Sequence, residues 1–173
     1  LVRLFAINSS SDVISVSNWS STTTTRSKRQ NTPPSTITQQ AIAFIGNELY
    51  SIRRDSDSPQ PYLLHLDMIN IENVLHKVPI GGEVNSVDAV ISDWVANRLL
   101  FVSFGHLMQI GLDGIQGVSS VTPKRIMDLS PGAGDAKQLL YDPFTNTAYL
   151  LTKNGSLFSL DMTKRTEQNL ALR

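Results

Sequence analysis

A degenerate internal repeat constrains the fold of this chain more than any other feature. Its first landmark is an Asn followed by any residue, then a small or aliphatic residue, then Tyr or Leu. The landmark recurs at separations of 50 and 49 residues, beginning at Asn47, Asn97 and Asn146. Recurrence at a nearly fixed spacing predicts one supersecondary unit repeated along the chain.

Two further landmarks keep the same period. A Leu-Asp pair that closes an apolar run recurs at separations of 46 and 48 residues, and its acidic members are Asp67, Asp113 and Asp161. A third landmark consists of two branched apolar residues, Ser or Tyr, and then Asp, and it occurs twice, 49 residues apart. One copy ends at Asp93, which Trp94 follows, and the other ends at Asp142. Because the acidic residue of the Leu-Asp pair recurs in every copy, we expect it to accept hydrogen bonds from turn N–H groups rather than to act in catalysis.

A period of about 40 to 50 residues that holds four short strands is typical of a propeller blade. In the central copy we predict an inner strand, a second, a third and an outer strand at residues 87–92, 99–104, 107–112 and 125–129. The apolar runs at 99–102 and 149–151 are expected to be covered on both faces by neighbouring blades. The predicted fold class is therefore all-β.

Counting repeats gives the expected organisation, a partial β-propeller of four-stranded antiparallel blades amounting to about three and a half blades. Open ends of such a stack would expose apolar surface, so we expect more chain or a second copy to cover them. We expect residues 1–18 to form the last strands of a preceding blade and residues 19–37 to form a disordered loop rich in Thr, Pro and basic residues. Two blades follow at 38–83 and 84–134, and an incomplete blade at 135–173.

Composition excludes several classes of function. Fifteen basic residues balance fifteen acidic ones, so no global field favours nucleic acid. The absence of cysteine removes thiol chemistry and disulfides. No apolar run approaches the roughly 18 residues of a membrane helix, and residues 1–7 have the pattern of a strand rather than of a signal peptide. We therefore expect no direct membrane insertion by this segment.

Candidate modification sites lie in turns and loops. The sequence Asn-X-Ser, the acceptor pattern for N-linked glycan, occurs at Asn8, Asn18 and Asn154. A basic tract in the segment most open to a protease is a candidate processing site, with a solvated charge cluster as the alternative; its basic residues are Arg26, Lys28 and Arg29.

Metal-binding residues are sparse. The three histidines, His65, His76 and His106, have no second ligand at metal-binding spacing, so we interpret them as surface or strand residues. Acidic residues do occur near the starts of inner strands, where enzymatic propellers gather central metal ligands; they are Glu83, Asp88 and Asp135. No nucleophile elbow, phosphate-binding glycine loop or kinase signature is present.

Three features together resemble the repeat of low-density-lipoprotein-receptor-type six-bladed propellers. They are Asp93-Trp94, the apolar run 99–102 in the place of the Tyr-Trp-Thr-Asp core, and residues 110–114, Ile-Gly-Leu-Asp-Gly. The core tetrapeptide is absent, and only Tyr50 and Tyr149 keep its leading tyrosine. This divergence is similar to that of the extracellular propellers of Sevenless/Ros receptor tyrosine kinases, and the resemblance covers about residues 38–173.

The resemblance implies a non-catalytic, cofactor-free recognition or structural propeller in the glycosylated ectodomain of a single-pass receptor, at the extracellular face of the plasma membrane. The parent chain would carry the remaining blades, flanking fibronectin type III domains and a cytoplasmic tyrosine kinase. The implied partner is a protein ligand, membrane-bound on a neighbouring cell in the Sevenless branch, where signalling specifies photoreceptor fate.

Two other functions are compatible with repeated blades. A propeller hydrolase or lactonase would hold a central divalent metal near Asp88 and Asp135. An intracellular scaffold of the WD or kelch kind fits less well, because no Trp-Asp pair closes a strand and no Gly-Gly pair recurs by blade.

Overall fold

A computed structural model describes residues 4–7, 13–16, 41–55, 58–82, 84 and 86–170. Contacts divide the chain into two units, Leu1–Ile37 and Thr38–Arg173, and each is described by itself. In the first unit, β1 (Leu4–Ile7) pairs antiparallel with β2 (Val13–Val16). The expected loop at 19–37 lies outside the described residues.

The second unit contains three four-stranded antiparallel sheets, and in each the strands pair in chain order. Sheet 1 consists of β3 (Ala41–Ile45), β4 (Glu48–Arg54), β5 (Pro61–Leu66) and β6 (Val74–Pro79). Sheet 2 consists of β7 (Ala89–Asp93), β8 (Arg98–Ser103), β9 (His106–Gly111) and β10 (Lys124–Asp128). Sheet 3 consists of β11 (Ala136–Asp142), β12 (Thr147–Thr152), β13 (Leu157–Asp161) and β14 (Thr166–Leu170).

The prediction of an all-β chain with four-stranded antiparallel sheets is confirmed. The predicted strands of the central copy fall within two residues of β7 to β10 at each end. The described part of the chain contains no α-helix, and its one helical element is a single 3-10 turn, Ile115–Gly117. The positions of these four strands could therefore be predicted from the repeat and from the apolar residues within it.

Sheet 2 lies between the other two sheets. Its first strand, β7, contacts both β3 and β11, the first strands of sheets 1 and 3. One apolar cluster joins sheet 1 to sheet 2 and includes Leu99 and Phe101, and another joins sheet 2 to sheet 3 and includes Leu100 and Val102. Because successive residues of β8 point to opposite faces, all four of these side chains are completely buried. The apolar run 99–102 is covered on both faces, as predicted.

The run 149–151 is covered on one face only in the described part of the chain. Leu150 is completely buried, but Tyr149 is 37% exposed, and Leu151 is half-buried. Tyr149 lies 49 residues after Leu100 and points to the corresponding face of its own sheet, where no described element covers it. Apolar sequence identified the strand, but it could not show whether a neighbouring sheet is present.

A second connection between sheets 1 and 2 lies beyond the end of β6. Ile80 forms a parallel bridge with Val121. The N–H of Gly81 donates a hydrogen bond to the carbonyl oxygen of Val121 at 2.8 Å. The N–H of Val121 donates to the carbonyl oxygen of Pro79 at 2.9 Å. Ile80 is completely buried between the two sheets. The segment before β10 is thus fixed against sheet 1 by backbone hydrogen bonds as well as by apolar contacts.

The packing predicts a large difference between two leucine substitutions. Leu100→Ala removes a completely buried side chain between sheets 2 and 3, so we expect the free energy of unfolding to fall by about 2–5 kcal/mol. Leu75→Ala changes a side chain that is 55% exposed in β6, and the expected loss is below about 1 kcal/mol. Urea unfolding of both variants measures the difference, and equal losses would contradict the burial of sheet 2 on this face.

Candidate functional site

Three hairpins share one turn, which begins at an Asp and ends four residues later at a residue with positive φ. We call these the Asp turns, and they span residues 93–97, 142–146 and 161–165. The fifth residue has φ of 45° at Asn97, 51° at Asn146 and 56° at Arg165. Asn adopts this left-handed conformation more readily than most residues, which accounts for the Asn landmark in two copies. In the third Asp turn an arginine, Arg165, occupies this position.

The Asp side chain closes each of these turns. Its Oδ1 accepts a hydrogen bond from the N–H two residues later, at 3.2 Å for Asp93, 3.0 Å for Asp142 and 3.0 Å for Asp161. A second bond follows in each turn, from the N–H three residues later for Asp93 and Asp161 and from the Thr145 hydroxyl for Asp142. In these turns the Asp side chain accepts the hydrogen bonds of backbone N–H groups that would otherwise pair with a neighbouring strand, and the strand can end there.

The remaining landmark residues have different surroundings. Asp67 accepts from the N–H of Ile69 at 2.8 Å, whereas Asp113 accepts from the side-chain Nδ2 of Asn97 at 2.5 Å. Asn47 is exposed in the β3–β4 turn, where the positive φ belongs to Gly46. The landmark positions therefore recur in turns, but the contacts that they make are not the same in every sheet.

Asp93 has a further role because it is buried. The residue is only 1% exposed, and its Oδ2 accepts from Nε of Arg98 at 2.7 Å. Nη1 of Arg98 in turn donates to Oε1 of Gln109 on β9. Tyr141 of sheet 3 lies close enough to Asp93 and Arg98 for both to act on its pKa, which burial raises above its ordinary value. This polar group connects sheet 2 to sheet 3.

Two exposed aromatic side chains meet across the same pair of sheets. Trp94 of the first Asp turn is 59% exposed and Phe144 of the second is 86% exposed. Their ring centroids lie 6.5 Å apart with an angle of 72° between the ring planes, an edge-to-face contact. Val95, beside Trp94, is 60% exposed. Large apolar side chains thus adjoin one another in solvent at the turn end of sheets 2 and 3.

The turn that carries Phe144 also contributes Asn146 to a cleft of about 290 Å³. Arg98, the residue after the turn that carries Trp94, lines the cleft as well. The lining has four basic side chains, two amide side chains and two apolar ones; the residues are Arg98, Lys124, Arg125, Arg165, Gln109, Asn146, Ile126 and Met162. They come from β8, β9 and β10 of sheet 2 and from the turns on either side of β12 and β13 in sheet 3. The cleft is therefore built from both sheets.

The charges of the cleft are only partly compensated. Arg98 pairs with Asp93, and Arg125 pairs with Asp128. Among the residues described, no carboxylate lies within ion-pair distance of Lys124 or Arg165, and both side chains are exposed. Two positive charges therefore face solvent without a partner carboxylate in this part of the chain.

The acidic residues considered as metal ligands do not form a ligand set. Asp88 Oδ1 lies 3.6 Å from Nζ of Lys153, and the backbone carbonyl oxygen of Asp135 accepts from the N–H of the same lysine. Glu83 lies outside the described residues. Across the described ranges, no group of three or more His, Asp or Glu side chains is placed to hold a metal ion.

Each histidine has a contact within the sheets. The ring of His65 stacks on that of Tyr50 at 5.0 Å, and Nε2 of His76 lies 3.2 Å from the carbonyl oxygen of Ile115. Nδ1 of His106 lies 2.7 Å from Oδ1 of Asp128. The histidines are thus held in separate contacts with other side chains and backbone.

One candidate glycan acceptor falls in the described part of the chain. Asn154 is exposed in the β12–β13 turn, and its Oδ1 accepts from the N–H of Ser156 at 3.1 Å and from the hydroxyl of Thr152. In the described structure its Nδ2, the atom to which glycan is attached, makes no hydrogen bond. The acceptors Asn8 and Asn18 and the candidate processing residues Arg26, Lys28 and Arg29 lie outside the described residues.

Among residues with a described structure, no helix has the length and apolar character needed to cross a bilayer. No family model matches the chain. Protein roller-3 of Caenorhabditis briggsae is 51% identical to it over 172 residues, a match that covers 99% of this chain. The chain spans 7% of the length of that relative. The similarity therefore concerns one small part of a much longer protein.

Sequence reasoning identified Asp93, Trp94, Asn97 and Asp142 as landmarks but missed the cleft. Lys124, Arg125 and Arg165 belong to no landmark, and β10 and the β13–β14 turn that supply them are far apart in sequence. One usable signal was present. The spacing of four residues from Asp93 to Asn97 occurs again between Asp161 and Arg165, and it would have placed Arg165 at the end of an equivalent turn.

Burial predicts unequal effects of the same change in two Asp turns. Asp93→Asn leaves Arg98 without its buried carboxylate, so we expect the free energy of unfolding to fall by about 2–4 kcal/mol. Asp142→Asn is the matched control, because this carboxylate has no ion-pair partner in the described structure and an amide oxygen can accept its turn bonds. Chemical denaturation should show a much smaller loss for the control, and equal losses would count against the connecting role of Asp93.

The turn carboxylates also predict a dependence of stability on acid. The hydroxyl of Thr145, with the N–H of Phe144, holds the pKa of Asp142 below its ordinary 3.8, and the N–H of Lys164 does so for Asp161. A lowered folded-state pKa means that the stabilisation is complete above pH 3.8 and is lost as pH falls through the folded value. NMR titration of the two carboxyl carbons should give midpoints below 3.8, and midpoints at or above that value would contradict these bonds.

Proposed function

We propose that this chain is a non-catalytic ligand-recognition segment in the ectodomain of a cell-surface receptor that resembles the Sevenless/Ros receptor tyrosine kinases. In this proposal sheets 1, 2 and 3 are blades of a six-bladed β-propeller, and the first strands β3, β7 and β11 line its axis. The contact of β7 with both β3 and β11 supports this arrangement, because blades pack through their inner strands.

The single observation that carries the proposal is the exposed aromatic pair. Trp94 and Phe144 keep large apolar surfaces in solvent while completely buried side chains lie a few residues away in β8 and β12. A contiguous exposed apolar surface beside polar residues marks an interaction site more often than an active site. Trp in particular is enriched among residues that dominate binding energy.

The remaining parts of the proposal follow from the resemblance. The longer parent protein would carry further blades, fibronectin type III domains, one membrane-spanning segment and a cytoplasmic tyrosine kinase. Its ligand would be a protein on a neighbouring cell. The match to a small part of a much longer relative is compatible with a segment of a large multidomain protein.

The metal-dependent hydrolase receives no support from the described residues. Asp88 lies within ion-pair distance of Lys153, and in the part of the chain that the structure describes no three His, Asp or Glu side chains are grouped to hold a metal ion. A recognition surface, by contrast, needs no titratable cluster. The proposal therefore depends on the exposed aromatic pair, whose two rings are in contact.

Glycan attachment tests the extracellular placement. In the full-length protein made by a secretory cell, we expect glycosidase-sensitive mass at Asn154, because its side chain is exposed and Nδ2 is available in the described turn. Ser156→Ala removes the acceptor pattern and should abolish that mass, while the turn keeps the hydrogen bonds of the Ser156 backbone N–H. Peptide mass spectrometry provides the measurement.

Ser156→Thr is the control, since it keeps the acceptor pattern and should keep the glycan. Absence of the protein from the cell surface, measured by labelling of intact cells, would overturn the proposal.

A further inference from the structure

We propose that the basic cleft between sheets 2 and 3 binds an acidic side chain of a polypeptide ligand whose neighbouring apolar residue packs on Trp94 and Phe144. This inference rests on the proposed recognition function and specifies the chemistry of the partner. It concerns the cleft lined by Arg98, Lys124, Arg125 and Arg165, described above.

The first step concerns charge. Arg98 and Arg125 are neutralised by Asp93 and Asp128, so they contribute donor groups but little net field. Lys124 and Arg165 lack a partner carboxylate in the described structure and supply the net positive charge. An anion in the cleft would therefore meet two uncompensated cations, and an arginine can hold a carboxylate through two parallel hydrogen bonds.

The second step concerns size. A volume of about 290 Å³ is at the lower limit of the roughly 300–1,000 Å³ typical of pockets for whole small molecules. Ile126 and Met162 give part of the lining an apolar character, and Met162 is nearly buried. A cleft with an apolar lining and charged sides fits the methylene groups and carboxylate of one acidic side chain.

The third step concerns the surroundings. Asn146 lines the cleft and lies two residues after Phe144, while Arg98 follows the turn that carries Trp94. The exposed aromatic pair thus belongs to two turns whose neighbours in the chain line the cleft. A polypeptide can present an acidic and an apolar side chain next to each other and match both parts.

A sulfated polysaccharide is the less suitable occupant. Its charges repeat along the chain, so its binding is strongest where cations follow one another in a row. The cleft-lining cations without a partner carboxylate in the described structure are Lys124 and Arg165. The large exposed side chains of the first two Asp turns, Trp94, Val95 and Phe144, carry no charge. The observations therefore favour an acidic peptide segment.

Selection from a random heptapeptide library displayed on phage tests this inference on the purified full chain. We expect enrichment of peptides that combine Asp or Glu with an aromatic or large aliphatic residue. For the most enriched peptide, replacement of each acidic residue by its amide should weaken binding about tenfold or more by calorimetry. No acidic enrichment, or equal binding of the amide peptide, would overturn the inference.

Two sets of variants locate the binding. Lys124→Gln together with Arg165→Asn should remove the preference for the acidic peptide, and Arg165→Asn keeps a residue that tolerates the positive φ of the turn. Trp94→Ser together with Phe144→Ser should weaken the acidic and amide peptides alike. Lys137→Gln, an exposed lysine of β11 that does not line the cleft, is the control and should change neither.

Retention of the acidic preference in the variant without Lys124 and Arg165 would overturn the inference. So would tighter binding of a heparin-derived tetrasaccharide that depends on the same two residues. Circular dichroism of each variant verifies that the sheets are intact. Because this experiment uses purified protein, its failure would leave the extracellular placement, tested by glycan mapping and surface labelling, unaffected.

Discussion

Burial of sheet 2 on both faces is the constraint on which the rest of the second unit depends. The four residues of β8 from Leu99 to Val102 are completely buried, with alternate side chains packed against sheets 1 and 3. The first strand of sheet 2 contacts the first strands of both outer sheets, so each outer sheet is held in place by sheet 2. The relative positions of Trp94 and Phe144, and the cleft beside them, follow from this packing.

Local features of the fold could be predicted from sequence because the pattern of apolar residues along a strand indicates how many of its faces are buried. Continuous apolar residues marked β8 as covered on two faces, and the Asn landmark marked its start. Tyr149 shows what this reasoning leaves out. Its position is equivalent to that of Leu100, but its exposure depends on a neighbouring sheet, and the pattern within one strand carries no information about that neighbour.

The candidate site was less predictable because it is made by neighbours in space. The repeat located the Asp turns, and its spacing was enough to identify Asp93 and Trp94 as landmarks. The edge-to-face contact with Phe144, however, arises because equivalent turns of adjacent sheets lie side by side. The cleft likewise combines Lys124 of β10 with Arg165, which is 41 residues later in the chain. Only the packing of sheet 2 on sheet 3 brings such residues together.

The positive φ of Arg165 sets the stability of the turn against binding in the cleft. Its φ of 56° is one that Asn or Gly adopts with less strain, and the two equivalent turns do have Asn there. Selection for stability alone would therefore favour Asn at position 165, which would also remove one of the two uncompensated charges from the cleft. An arginine that persists in sequences diverging from this one would indicate selection for the charge, whereas drift to Asn or Gly would indicate that stability alone is under selection.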